Sequence, residues 1–154
     1  LHSFPTRRSS DLSVDVGKNQ LHEKLRIENK IINIEKTNAR YLTSATIKDK
    51  IDIIVCDVSF ISMIKVIEPC LNFLTNNGQI IALIKPQFEA KKKEIKKGVV
   101  LDKNVHLRIC DEYKKWFEEN CLMKVIGLVE SPIQGPKGNR EFLICCENYK
   151  NLKQ

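Results

Sequence analysis

The sequence predicts an α/β fold: a mostly parallel sheet closed by an antiparallel C-terminal hairpin. Three observations carry that expectation. Strand-like and helix-like periods alternate along the chain, the pattern of successive strand–helix units. Two runs, "IDIIVC" (51–56) and "QIIALI" (79–84), are apolar without polar alternation, as expected of central parallel strands covered on both faces. The last two strand-like runs are joined by "PIQGPKGNR", a Gly/Pro loop with no helix in it. A parallel crossover needs a dozen or more residues, usually a helix, so this pair must be antiparallel.

Taken in order, "LHSFPTRRSSDL" (1–12) matches neither period, carries Pro5 and paired arginines and serines, and reads as foreign to the rest. "SVDVG" reads as the end of a strand stopped at Gly17, "NQLHEKLRIE" as a helix through Leu21 and Leu25, and "KIINIEK" as a short strand. "KIDIIVCDVSF" is a strand ending at Asp57. "MIKVIEPCLNFLTNNG" has a helical stripe (Ile64, Ile67, Leu71, Leu74) and a C-cap signal at Asn77-Gly78. The strand "QIIALIKP" follows, and then a lysine-rich segment, Lys91 to Lys97, which reads as a solvated loop or as a set of phosphate contacts. Asp102 is the N-cap candidate for a helix whose stripe is Val105, Ile109, Tyr113, Trp116 and Phe117. "CLMKVIGLVES" and "EFLICCEN" form the hairpin, leaving residues 13–148 as one domain and 149–154 as a frayed tail.

Bulk properties narrow the class. The 154 residues are 42% hydrophobic, enough for a real core. A net charge of +7 permits a polyanionic partner such as RNA, although enrichment in lysine raises charge without any function behind it. Six cysteines show neither a CxxC pair nor a metal-ligand spacing, so they read as small core hydrophobes in a reducing compartment, with no metal. No apolar run approaches the roughly 18 residues a membrane span needs, and no secretory signal is visible, so the expected setting is cytoplasmic.

Chemistry is expected where the parallel strands end, because ligands of open α/β sheets bind beyond the carboxyl ends of their strands. Asp57 and Lys85 hold that position on the two apolar runs. Pro86 holds Lys85 extended and cannot continue the ladder, so the strand stops with Lys85 projecting from its end. Glu141 opens the final antiparallel strand, which starts on the edge where parallel strands finish. Taken singly, each is an ordinary solvated strand terminus; together they form one charged rim.

"DVSFIS" (57–62), "ALIKPQFEA" (82–90), "KGVVLDKNVH" (97–106) and "SPIQGPKGNREFL" (131–143) carry a resemblance, supported upstream by "VDVGKNQL" and "TNARYL". In these blocks the chain resembles the hemolysin-A-like (TlyA) family: S-adenosylmethionine-dependent ribosomal RNA 2'-O-methyltransferases with an FtsJ-like catalytic domain. The resemblance implies a Rossmann-like S-adenosylmethionine-dependent methyltransferase fold. It also implies a Lys-Asp-Lys-Glu tetrad around the target ribose, whose last three members match Asp57, Lys85 and Glu141. The tetrad's first lysine, the first strand with its Gly-rich loop and an S4-like RNA-binding domain have no match here. The chain is therefore expected to be N-terminally truncated, a poor binder of cofactor and inactive alone.

The same resemblance places Asp15 at the cofactor's ribose hydroxyls, Asn38 near its adenine and Asp57 at cofactor as well as substrate. Read alone, Asp15 is a turn residue and Asn38 a helix cap. Lys137 is a candidate phosphate contact, in a loop that approaches the RNA backbone or closes the site. For Lys85, nearby carboxylates favour an orienting ammonium in the free enzyme, with a base role only once cofactor and RNA close the site. The implied substrate is a cytidine of ribosomal RNA; which nucleotide, and the oligomeric state, stay open. An RNA-binding module without catalysis remains an alternative. A nicotinamide-dependent enzyme is disfavoured by the missing G-x-G-x-x-G, and a membrane-active hemolysin by the lack of any spanning or strongly amphipathic segment.

Overall fold

A computed structural model describes residues 10–148 of the chain. Residues 1–9 of the segment read as foreign, and the tail 149–154, lie outside the described residues. Strand β1 (Asp11–Val14) takes in the last two residues of the foreign-looking segment and pairs in parallel with β2 (Ile31–Ile34); between them lies α1 (Glu23–Arg26). The helix expected over "NQLHEKLRIE" is thus a single turn, capped by His22, whose Nδ1 accepts from the Lys24 amide. Its apolar residues find no core: Leu25 and Ile27 are exposed. An amphipathic stripe with nothing to pack against loses the main source of helix stability.

Strand β3 (Ile51–Cys56) leads to α2 (Ile64–Cys70), a 3-10 turn at Leu71–Phe73, and the 11-residue strand β4 (Leu74–Ile84). Helix does not run on to Gly78, contrary to the expected C-cap. The chain is already extended at Leu74, and Gly78 adopts no left-handed φ. The pairing of β3 with β4 jumps from Ile51–Leu74 to Ile53–Gln79, so residues 75–78 form an irregularity in the strand. Gly78 serves a close approach there: a Cβ would stand 2.6 Å from Leu74 Cγ and Cδ1.

After β4 comes the turn α3 (Pro86–Glu89). The lysine-rich segment, expected as a loop, folds into a small antiparallel hairpin of β5 (Ile95–Lys96) and β6 (Val99–Val100). Its two connecting residues, Lys97 and Gly98, have φ of 52° and 84°, the left-handed pair that a type I′ turn demands. Helix α4 (Lys103–Lys115) starts as expected, with Asp102 Oδ1 accepting from the Asn104 amide at 2.8 Å. It continues as a π-helical stretch, Trp116–Asn120. Val105, Ile109, Tyr113 and Phe117 are buried, and Trp116 packs partly buried beside them.

Strands β7 (Met123–Glu130) and β8 (Phe142–Asn148) form the antiparallel hairpin, and β8 also pairs antiparallel with β4. The resulting four-stranded sheet has the order β3-β4-β8-β7, with β3 and β4 parallel. The core lies where α2 and α4 bring Ile67, Ile109 and Phe117 together with Ile80, Ile84 and Ile144 of the sheet. The expectation that "IDIIVC" is central and covered on both faces is not met. Among the described residues β3 is an edge strand, with Ile53 52% and Val55 74% exposed. Val55 and Ile81 are registered partners on one face, and both are exposed. Among the described residues no helix is long and apolar enough to cross a membrane.

Cys56, Cys70, Cys110, Cys145 and Cys146 are free thiols. Burial pushes Cys56 and Cys146 up to about 12 and Cys110 up to about 11. At pH 8, alkylation of Cys56 and Cys146 should run on the order of a thousandfold slower than for a free thiol, and the protection should vanish in urea. Each thiol is raised by folding, so the unfolded chain loses these protons first. Their contribution to stability is whole below pH about 8.5 and falls as pH climbs toward 12; melting temperatures across that window check the sign.

Candidate active site

The site follows from where three strands stop. Register pairs Cys56 with Ala82 across β3 and β4, and Ile84 with Phe142 across β4 and β8. Asp57 follows the last residue of β3, Lys85 follows the last of β4, and Glu141 precedes the first of β8. All three therefore sit on one rim of the sheet. Lys85 is extended (φ −117°, ψ 95°), the conformation a following proline enforces.

Lys85 and Asp57 meet directly. Lys85 Nζ lies 2.6 Å from Asp57 Oδ1, and it also donates to Ser59 Oγ at 3.1 Å. The lysine side chain is 13% exposed and the aspartate side chain 64%, so a sheltered amine is tethered to a carboxylate open to solvent. Such a half-open pair contributes about 0–1 kcal/mol to stability, which makes it a weak reason for the fold. Glu141 is on the same rim but does not pair with Lys85. It is 6% exposed, and its carboxylate accepts from Gln87 Nε2 at 2.8 Å.

One short turn connects these groups. In "KPQFE" (85–89), Lys85 reaches Asp57 and Ser59, buried Pro86 ends the strand, and Gln87 holds Glu141. The Phe88 ring lies 4.9 Å from that of Phe60, which has a left-handed φ of 64° and is 89% exposed. Glu89 Oε1 accepts from the Met63 amide at 3.0 Å, fixing the start of α2. Burial first, and then its hydrogen bond to Glu89, push the Tyr113 hydroxyl well above the usual phenol range.

The loop after β7 abuts Glu141, with Gly135 against its carboxylate. Asn139, buried, accepts from Val100 N at 3.2 Å and donates to Gly98 O and Pro136 O, both at 2.9 Å. It thereby binds the "GPKGN" loop to the β5–β6 hairpin. Lys137 is exposed on that loop, in a left-handed conformation, with its ammonium donating to Lys97 O at 3.3 Å. Ser59, Phe60, Gln87 and Asn139 were not singled out from sequence. Their signal lay in the motif blocks that contain them, without spacing that assigns a partner to each.

Of the cofactor candidates, Asp57 belongs to this rim, while Asp15 and Asn38 lie in the segments that follow β1 and β2. Asp15 follows β1, and its Oδ1 accepts from Gly17 N at 2.6 Å, closing a turn. Asn38 caps the 3-10 turn Ala39–Tyr41 by accepting from Arg40 N at 3.1 Å. A cavity of about 350 Å³ opens between β1 and β3, walled by Val14, Ala39, Leu42, Ile54 and Val58, with Asp57 at its edge. Asp57 is the one candidate that lines it; Asp15 and Asn38 are each one residue from a lining position.

Residues 6–148 match the family described as FtsJ-like methyltransferase. The chain belongs to that family. Hemolysin A of Brachyspira hyodysenteriae is 38% identical over 133 residues, 85% of this chain and 55% of that protein. The 16S/23S rRNA (cytidine-2'-O)-methyltransferase TlyA of Mycobacterium tuberculosis is 34% identical over 134 residues, 86% of this chain and 50% of its own. A Streptococcus thermophilus protein described as a hemolysin superposes with a TM-score of 0.85 at 36% identity, covering 92% of this chain and 52% of that one. N-methyltransferase NodS of Bradyrhizobium japonicum, at 15% identity and a TM-score of 0.56, covers 89% of this chain and 65% of its own and shares the fold. The chain spans about half the length of the curated relatives it matches.

The Asn139 clasp is directly testable. Asn139→Ala leaves a buried Val100 amide unpaired, which should cost about 2–3 kcal/mol in urea unfolding. Amide exchange should quicken in the β5–β6 hairpin before it does in β4.

Proposed function

We propose that this chain carries the catalytic centre of an S-adenosylmethionine-dependent 2'-O-ribose methyltransferase acting on ribosomal RNA, with cytidine as the target. The observation that supports it is the rim itself: a tethered Lys85–Asp57 pair and a sheltered Glu141 where the parallel strands end. Relatives named as rRNA (cytidine-2'-O)-methyltransferases supply the substrate class. RNA as substrate and the free thiols of Cys56, Cys70, Cys110, Cys145 and Cys146 favour the cytoplasm.

The residues present fit the cofactor in part. The cavity is apolar enough to take an aromatic base and has the Asp57 carboxylate at its edge, within the size range of small-molecule sites. Asp15 and Asn38 flank it, although the polar atoms described above are occupied in local turns. Asp57 would hold the cofactor end nearest the rim, and Val14, Ala39 and Ile54 its flat face. When bound, S-adenosylmethionine would supply an electrophilic methyl group whose bond to the sulfonium sulfur breaks as the new bond forms, leaving the neutral thioether S-adenosylhomocysteine.

The chain's residues then have three tasks. Of the three ammonium protons on Lys85, one goes to Asp57 and one to Ser59, leaving one donor to fix the ribose oxygen. Alignment of that oxygen with the methyl group supplies several kcal/mol of the barrier reduction. As the new O–C bond forms, the hydroxyl proton must leave. Lys85 relays it, passing one proton to Asp57 and taking another from the hydroxyl, once bound RNA has displaced water from the rim. Glu141, beside Lys85 on the rim, holds the ribose as well. The exposed ring of Phe60 offers a face on which an unpaired base can stack.

Lys85→Ala, Asp57→Asn and Glu141→Gln should each lower methyl incorporation into ribosomal RNA by about 10²–10⁴-fold. Labelled cofactor measures it, using this chain and also the chain with whatever its gene encodes upstream. Filter binding should show RNA retention within a few-fold. Near-normal turnover in Lys85→Ala overturns the mechanism, and RNA binding with no methyl transfer by the unmutated protein leaves a binding module.

A further inference from the structure

Glu141 is a carboxylate in an awkward place. It is 6% exposed, and a buried charge is costly unless it is hydrogen-bonded. Its carboxylate accepts from the Gln87 amide, Nε2 to Oε1 at 2.8 Å. The orientation of that amide is informative. With Nε2 turned to the carboxylate, Gln87 Oε1 is buried without a hydrogen-bond partner among the described residues. Turning the amide over would set oxygen against oxygen, so the orphaned acceptor is the lesser cost.

A second wall is built by an absence. A Cβ on Gly135 would overlap Glu141 Oε1 and stand 2.7 Å from Cδ. Gly135 has φ −73° and ψ −177°, a conformation any residue adopts. Glycine is required here for room, not for flexibility. The carboxylate therefore sits in a recess bounded by the Gln87 donor and by the side-chain-free Gly135, both against Oε1. These come from segments far apart in sequence, the turn after β4 and the loop before β8.

We propose that Gln87 is a positioning residue for the methyl-transfer reaction: with Gly135 as the back wall, it holds the Glu141 carboxylate on the rim beside Lys85. The inference rests on the reading that Glu141 acts on the ribose. Gln87 is two residues from Lys85 on a single turn, so one rigid element sets both the cation and the carboxylate.

Gln87→Met keeps the bulk and removes the donor. Its kcat should fall about 10- to 100-fold, with KM for ribosomal RNA within twofold, and the melting temperature should drop because the buried carboxylate loses its donor. Gln87→Glu supplies a donor only when residue 87 is protonated, so its activity relative to the unmutated protein should rise as pH is lowered. Gly135→Ala should lose activity with no such recovery. A crystal structure of the Gln87→Met chain gives a readout independent of turnover and should show the Glu141 carboxylate out of its recess. If Glu141→Gln itself turns over normally, the reading of Glu141 fails. If Glu141→Gln is inactive while Gln87→Met matches the unmutated protein and leaves Glu141 in place, the positioning role alone is overturned.

Discussion

A proline cannot donate to a β-ladder, and that constraint organises the whole rim. β4 pairs through Ile84 with Phe142 and then meets Pro86, so the strand turns into α3 with Lys85 held extended at the break. The residues of that turn face different neighbours: Asp57 and Ser59, Glu141, Phe60, and the first amide of the segment leading into α2. A strand end is usually a place of fraying. Here it is tied on several sides, which is what a site needs if charged groups are to hold their geometry without a bound ligand.

The energetics put the weight on packing and leave the charges to function. Ile80, Ile84, Ile109, Phe117 and Ile144 are fully buried and make the core, each contributing on the order of 2 kcal/mol. The Lys85–Asp57 pair, half in water, adds little to stability. Glu141 lies buried on a single amide donor. An arrangement that gains little for the fold, yet is braced by a half-buried glutamine and a side-chain-free glycine, is what the proposed site requires. Membership of the FtsJ-like methyltransferase family gives that pattern its chemical context.

Much of this was legible in the sequence, for physical reasons. Strands β3 and β4 announce themselves by apolar runs, the terminal hairpin by a loop too short for a crossover, and α4 by the Asp102 cap and its apolar stripe. The common rim of Asp57, Lys85 and Glu141 followed from chain direction alone. Where reading failed, a tertiary neighbour decided the outcome. "NQLHEKLRIE" has a helical stripe but no surface to bury it against. Gly78 has the look of a helix cap, yet its small size serves contact with Leu74 inside a strand. The lysine run folds because Lys97 and Gly98 both accept left-handed φ and Asn139 clasps the result. The edge position of β3 and the pairing of Gln87 with Glu141 depend on segments distant in sequence, which no local pattern reports. Asp15 and Asn38 have the turn and cap roles that their residue types suggest, beside a cavity they do not line.

The central claim is that this rim is built to act on a sugar hydroxyl. Its most direct test locates the transferred methyl group. Ribosomal RNA treated with the protein and labelled cofactor is digested to nucleosides and fragmented by mass spectrometry. The added methyl should appear on the ribose fragment, with no product when the target nucleotide is 2'-deoxy. A methyl found on the base, or undiminished transfer to the 2'-deoxy substrate, would contradict it.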